Sequence, residues 1–178
     1  PCQVCHMPGG QHLWRGVHDP DMLRRALDVK LALRHTEDGQ RYAEVSAHNR
    51  GAGHHLPTYM VPKIDLVLSL LRPGHAPVEI GRDVIGWKAD AIITREEFDS
   101  RLPAGASRNY SHPFTAPPGK DWRIELRVEV APREHYERMF RHSLATLRLS
   151  ETARAELKTA LHEAESTRYT ALRVTALP

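Results

Sequence analysis

Cysteine is scarce. The 178 residues hold only Cys2 and Cys5, and a disulfide between positions so close would close a very small loop and gain little. No apolar run is long enough to cross a bilayer as a helix, so no membrane span is expected in this segment. The excess of base is slight, 25 Lys and Arg against 22 Asp and Glu. Its charges are scattered, which argues against nucleic acid as a partner. A carboxylate pair, a nucleophile triad and a glycine-rich phosphate loop are all missing, so no other chemistry has an obvious carrier. Internal repeats and low-complexity tracts are absent as well. The chain opens on Pro1 without an initiator Met, a charged n-region or an apolar h-region.

What is present is concentrated at the start. Cys2-Gln3-Val4-Cys5-His6 is C-x-x-C-H, the attachment sequence for a c-type haem. Thiolates at this spacing add to the two vinyl groups, and the histidine that follows lies under the iron as its proximal ligand. Twelve histidines are many for this length, which fits a haem protein, since imidazole is the usual axial ligand. Zinc is the main competing reading. Cys2, Cys5, His12 and His18 would form a Cys2His2 set, but the gap from Cys5 to His12 is far shorter than finger spacing. A redox C-x-x-C normally opens a helix after a strand, and nothing precedes this one. Thioether attachment takes place outside the cytoplasm in bacteria, so a periplasmic or extracellular location is expected. Either a signal peptide has been removed or the chain is the C-terminal part of a longer one. The second is preferred, because a haem needs protein on both faces.

Beyond the motif the pattern predicts a mainly β protein with an immunoglobulin-like antiparallel β-sandwich. The expected division is a haem attachment segment over 1–27, a sandwich over 28–132 and a C-terminal helical hairpin with a return strand over 133–178. Asp19-Pro20 reads as an N-cap followed by Pro at the first helical position. Val29, Leu31 and Leu33 alternate with polar residues, Asp38-Gly39 marks a hairpin, and Ala43, Val45 and Ala47 continue the period to about Asn49. Residues 50–58 form a loop rich in Gly and Pro. Ile64, Leu66, Leu68 and Leu70 mark a long strand, and a further one is expected around Trp87 to Ile93. Glu96 to Gly105 reads as a polar connector. Ser107–Phe114 and Trp122–Val130 read as an antiparallel pair around Pro117-Pro118-Gly119. After Pro132 the period turns helical, with a stripe of Tyr136, Met139, Phe140, Leu144 and Leu147. Ser150 then caps a second helix, and residues 169–177 return to a sheet edge.

Four stretches carry a resemblance to the C-terminal part of bacterial multihaem c-type cytochromes: Cys2–Pro8 with His12-Leu13-Trp14-Arg15-Gly16; Asn49-Arg50-Gly51-Ala52-Gly53-His54-His55-Leu56-Pro57-Thr58, similar to N-x-G-A-G-H-x-x-P-T; Asp99–Gly105 with Phe114–Gly119; and Glu163–Tyr169. Tyr59 stands where the family usually has Gly. The resemblance implies electron transfer among closely spaced haems, one of them here. Its partners would be other c-type haems or cytochrome subunits and redox donor and acceptor proteins.

The proximal ligand His6 follows from the motif; the distal one does not. His54 is the first candidate, both because small residues around it would let a flat macrocycle approach and because the family motif matches there. His12 and His18 are next, for this iron or a neighbouring one, and a ligand from another chain or Met60 are further options. His55 is expected to point away. Three functions fit: a six-coordinate electron carrier, a haem-bearing module of a multihaem oxidoreductase with an open iron, and an assembly unit of a cytochrome complex or filament.

Overall fold

The computed structural model describes residues 2–178. Helix α1 (Cys2–His6), a 3-10 turn (Pro8–Gly10) and helix α2 (Pro20–Ala26) precede the strands β1 (Leu27–His35), β2 (Arg41–Asn49), β3 (Lys63–Leu71), β4 (Val78–Ala89), β5 (Glu96–Asp99), β6 (Ser107–Phe114) and β7 (Arg123–Ala131). Helices α3 (Glu134–Thr146) and α4 (Glu151–Ser166) follow, and strand β8 (Tyr169–Ala176) ends the fold. Two antiparallel sheets result, ordered β1-β2-β6 and β5-β4-β3-β7-β8. The period-two residues decide which faces meet. Ala43, Val45 and Ala47 of the smaller sheet and Ile64, Leu66, Leu68, Ile124, Leu126 and Val128 of the larger share one core. Each of the Val, Leu and Ile side chains contributes about 1.5–3 kcal/mol by leaving water, and each Ala less. Asp19 caps α2 by accepting from the amides of Asp21 and Met22 at 3.0 and 3.1 Å. Ser150 caps α4 through the Ala153 amide at 3.2 Å.

Three expectations are corrected. Ser107–Phe114 and the strand after Trp122 are not partners: β6 pairs with β2, and β7 with β3 and β8. Pro117 and Pro118 lack amide donors and do not close a tight hairpin, so the chain crosses between the sheets. Phe114 and Trp122 meet edge-on at that crossing, with centroids 5.6 Å apart. Residues 96–99 are an edge strand rather than a connector; two charged, exposed glutamates disguise it, as they do many edges. Strand β4 also begins earlier than the hydrophobic pattern suggests. Gly81 sits inside it because a Cβ there would lie 2.4 Å from the His112 ring of the other sheet. That ring bonds Asp83 at 2.6 Å.

The helical hairpin forms as expected, with Met139, Phe140 and Leu144 of its stripe half-buried. The ends of the stripe stand in solvent: Tyr136 and Leu147 are exposed, whereas His135 and Glu137 are buried. α3 is also fastened by ion pairs. Glu134 pairs with Lys63 and Arg138. Glu137, 0% exposed, accepts two bonds from Arg168 at 3.0 and 2.5 Å. Arg168 is 48% exposed and can turn to water if its partner is lost, while Glu137 cannot. Arg168→Ala leaves Glu137 only its longer 3.6 Å contact with Arg141 and is therefore expected to cost roughly 3 kcal/mol, the low end for breaking a buried pair, and Glu137→Ala clearly less. Urea unfolding midpoints check the order; equal costs would contradict it.

Candidate functional site

Cys2 and Cys5 lie one helical turn apart on α1, so they share a face. Both are free and exposed. His6 follows, and its ring is held by the turn that comes next. The Arg15 amide donates to the His6 carbonyl at 3.1 Å, and the His6 Nδ1 donates back to the Arg15 carbonyl. A carbonyl only accepts, so the proton of the neutral ring sits on Nδ1 and Nε2 keeps its lone pair. Arg15 is itself fixed by Asp19, and that guanidinium holds the Asp19 carboxyl below its ordinary range, ahead of the Met22 and Asp21 amides.

His54 comes from the loop between β2 and β3, and that loop is built around Asn49. Asn49 is buried at the end of β2. Its side-chain amide donates to the carbonyls of His54, Leu102 and Pro103 at 2.8, 3.0 and 3.1 Å, and its Oδ1 accepts from the Ala52 amide at 3.1 Å. Arg50 and Gly51 donate their amides to the Ala26 carbonyl at 2.8 and 3.1 Å, so the loop caps the C-terminus of α2. Glycine is required at 51, where a Cβ would lie 2.4 Å from the Arg25 carbonyl oxygen. The N-x-G portion of the motif therefore has a local physical reason: an amide hub and a close approach. Asn49→Ala removes these bonds from a buried position and is expected to cost about 2–3 kcal/mol. Thermal unfolding reports the loss, and Asn49→Asp should recover only the Ala52 contact.

Strand β8 fastens the same segment from its other side. The Tyr169 hydroxyl donates to the Val17 carbonyl at 2.7 Å, and Arg24 donates to the Ala171 carbonyl at 2.9 Å. Burial, with Asp19 nearby, pushes the Tyr169 phenol well up. Leu23 and Leu27 anchor α2 and the start of β1 in the core.

These supports bring His6 and His54 together. Their ring centroids are 6.1 Å apart with planes 16° from parallel. His54, like His6, spends Nδ1 on a carbonyl, that of His55 at 2.8 Å, with the Thr58 hydroxyl 3.2 Å away. Both rings therefore keep Nε2 as the nitrogen available to a metal, oriented in the way a second partner at Nδ1 orients ligating imidazoles. His12 is exposed in the turn before Trp14. His18 lies elsewhere, at a groove of about 340 Å3 that Arg133, Tyr59 and Tyr136 also line. Partial loss of water, then the Arg133 guanidinium, holds its imidazole below the ordinary range. Among the described residues no three His, Cys, Asp or Glu side chains converge as a metal site, so the four-residue set of Cys2, Cys5, His12 and His18 is not assembled. Met60 contributes its backbone carbonyl to Lys63 at 2.7 Å.

The sequence left four supports unassigned. The Asn49 and Thr58 side chains lie inside the quoted loop motif, so a signal existed. The Arg15 and His55 carbonyls have none, since any residue offers a carbonyl.

No protein-family model matches the chain, and no curated protein matches it. Among solved structures it is similar to a penta-heme cytochrome c552 from Thermochromatium tepidum, with a TM-score of 0.69 and 15% identity. That match covers 99% of this chain and 47% of the other, so the chain spans about half the length of that protein. A structural genomics target, SoR45, matches at a TM-score of 0.33 with 8% identity over 61% of this chain and 76% of its own, too low to bear on the fold. The chain thus has the fold of about half of a cytochrome c structure.

Proposed function

We propose that the chain is an electron-transfer module carrying one covalent c-type haem, with thioethers from Cys2 and Cys5 and an axial pair of His6 and His54. The observation that carries this reading is the imidazole pair. Two rings bound on opposite sides of one metal have centroids about 6 Å apart, from bonds of about 2 Å and roughly 1 Å more to each ring centre. The separation here is 6.1 Å. The residues present fit the group: two exposed thiols on one turn, two Nε2 lone pairs, and an open glycine-bearing loop beside them. The haem would supply a one-electron couple, and a bis-imidazole field would keep its potential below that of a His/Met pair.

The chain's own residues do the positioning. Carbonyls of Arg15 and His55 orient the rings, Asn49 and Gly51 set the loop against α2, and β8 holds the segment to the sheet. The sandwich acts as a rigid support and docking body. The similar solved protein is a penta-heme cytochrome of about twice this length, which supports other haem-bearing polypeptide as partner. An exported, periplasmic or extracellular setting goes with the covalent attachment proposed for Cys2 and Cys5. Optical spectra of both oxidation states, with and without carbon monoxide, test the proposal. A low-spin spectrum indifferent to the gas is expected. Ready binding of the gas by the unaltered protein would overturn the bis-imidazole assignment and favour an open, catalytic iron.

A further inference from the structure

Asp99-Ser100-Arg101-Leu102-Pro103-Ala104-Gly105 lies far from His54 in sequence and alongside it in the fold. Leu56 and Leu102 exchange amide bonds at 2.8 and 3.0 Å, so this stretch runs antiparallel beside the loop that carries His54. The loop is then fixed at alternate residues. Asn49 holds the His54 carbonyl and Leu102 holds Leu56. Arg101 holds Thr58, its Nη1 donating to the Thr58 carbonyl at 3.0 Å. The guanidinium itself has no freedom to turn. Its Nε and Nη2 donate to the two oxygens of Asp99 at 2.9 and 2.6 Å, and it lies 4.6 Å from the centre of the Trp87 ring. Trp87 is anchored in turn, its indole N–H donating to Glu96 at 2.7 Å. A planar fork with both carboxylate bonds made and an aromatic beneath it is a rigid mount. Here it grips the backbone of an exposed residue, and that residue's side chain is the one that reaches the His54 ring. The Thr58 oxygen lies 3.2 Å from Nδ1, whose N–H also points to the His55 carbonyl at 2.8 Å.

We infer that Arg101 is a positioning residue for the distal imidazole: mounted on Asp99 and Trp87, it holds Thr58 so that the threonine hydroxyl sets the rotation of the His54 ring. The inference rests on the axial pair of His6 and His54 and adds what fixes its geometry. One acceptor leaves a ring free to swing about the N–H···O line; two acceptors sharing the N–H fix its plane. That plane is 16° from the plane of His6. Asn49 and Leu102 already pin the loop at 54 and 56, so stability alone needs no third pin at 58. The charges of Arg101 and Asp99 cancel, so the mount acts through geometry rather than through an added field.

The test uses the haem-loaded protein and cyanide, which reaches the ferric iron only when His54 leaves it. Thr58→Val keeps the side-chain shape and removes the acceptor. It should let the ring turn away from parallel, which raises the largest g-value in the electron paramagnetic resonance of the oxidised protein. It should also speed cyanide binding roughly fivefold, the scale of one hydrogen bond. Thr58→Ser should match the unaltered protein in both readouts. Arg101→Ala should reproduce the two changes, and combining it with Thr58→Val should add nothing, because residues acting in series are not additive. If Arg101→Ala does not fold, Arg101→Lys, which keeps a charged donor but loses the fork, carries the same expectation. Unaltered g-values and cyanide rate in Thr58→Val or in the Arg101 variant, whatever the urea midpoint, overturn the inference and leave the haem assignment standing. So does a double variant whose effects add. Intact mass without haem overturns both.

Discussion

Changing Cys2 and Cys5 together to alanine is expected to abolish covalent haem completely. Intact mass of protein matured in a host competent for c-type attachment should drop from the haem-loaded to the bare polypeptide value. No third cysteine exists to replace them. Each single variant should retain haem through one sulfur at reduced occupancy. Both thiols are exposed and outside the core, so the double change should move the unfolding free energy of haem-free protein by no more than about 0.5 kcal/mol. A loss of haem with the fold intact separates a failed attachment from a failed fold. Haem still covalently bound in the double variant would end the assignment.

His54→Ala should leave the haem attached but turn its spectrum from low to high spin and let carbon monoxide bind. Removing one imidazole empties one side of the metal, and the neighbouring His55 carbonyl and Thr58 hydroxyl do not replace a nitrogen ligand to iron. Added imidazole should restore the low-spin spectrum. His12→Ala and His18→Ala are the controls, and both should resemble the unaltered protein, since neither ring pairs with His6. An unchanged spectrum in His54→Ala, or a high-spin one in either control, would move the distal ligand elsewhere. The fold should survive in all three, because each of these rings is exposed.

Most of the strands were legible because burial on one face imposes strict alternation. Ala43, Val45 and Ala47, or Ile124, Leu126 and Val128, admit only one register with the core. Sheet membership was not legible in the same way. Whether β6 joins β7 or β2 depends on a crossover that local pattern does not encode, and only the absence of amides at Pro117 and Pro118 hinted at it. The hairpin was legible as two helices, but the polar residues inside it were not. α3 is attached by ion pairs as well as by its half-buried stripe, and hydrophobic period gives no sign that His135 and Glu137 are buried. At the candidate site the attachment motif and His54 stood out, as residue types with few other uses in such a pattern. What orients them did not, since backbone carbonyls are anonymous. The placement of His54 beside His6 needed the loop's fold against α2, which joins positions far apart in the chain.

The fastening of residues 17 and 24 by Tyr169 and Ala171 has a consequence in time. The seat of the first segment is complete only when the last strand is in place. Contacts of such long sequence separation slow folding. Cys2 and Cys5 stay exposed even in the finished fold, so thioether formation, under the proposed function, would not have to precede the closing strand.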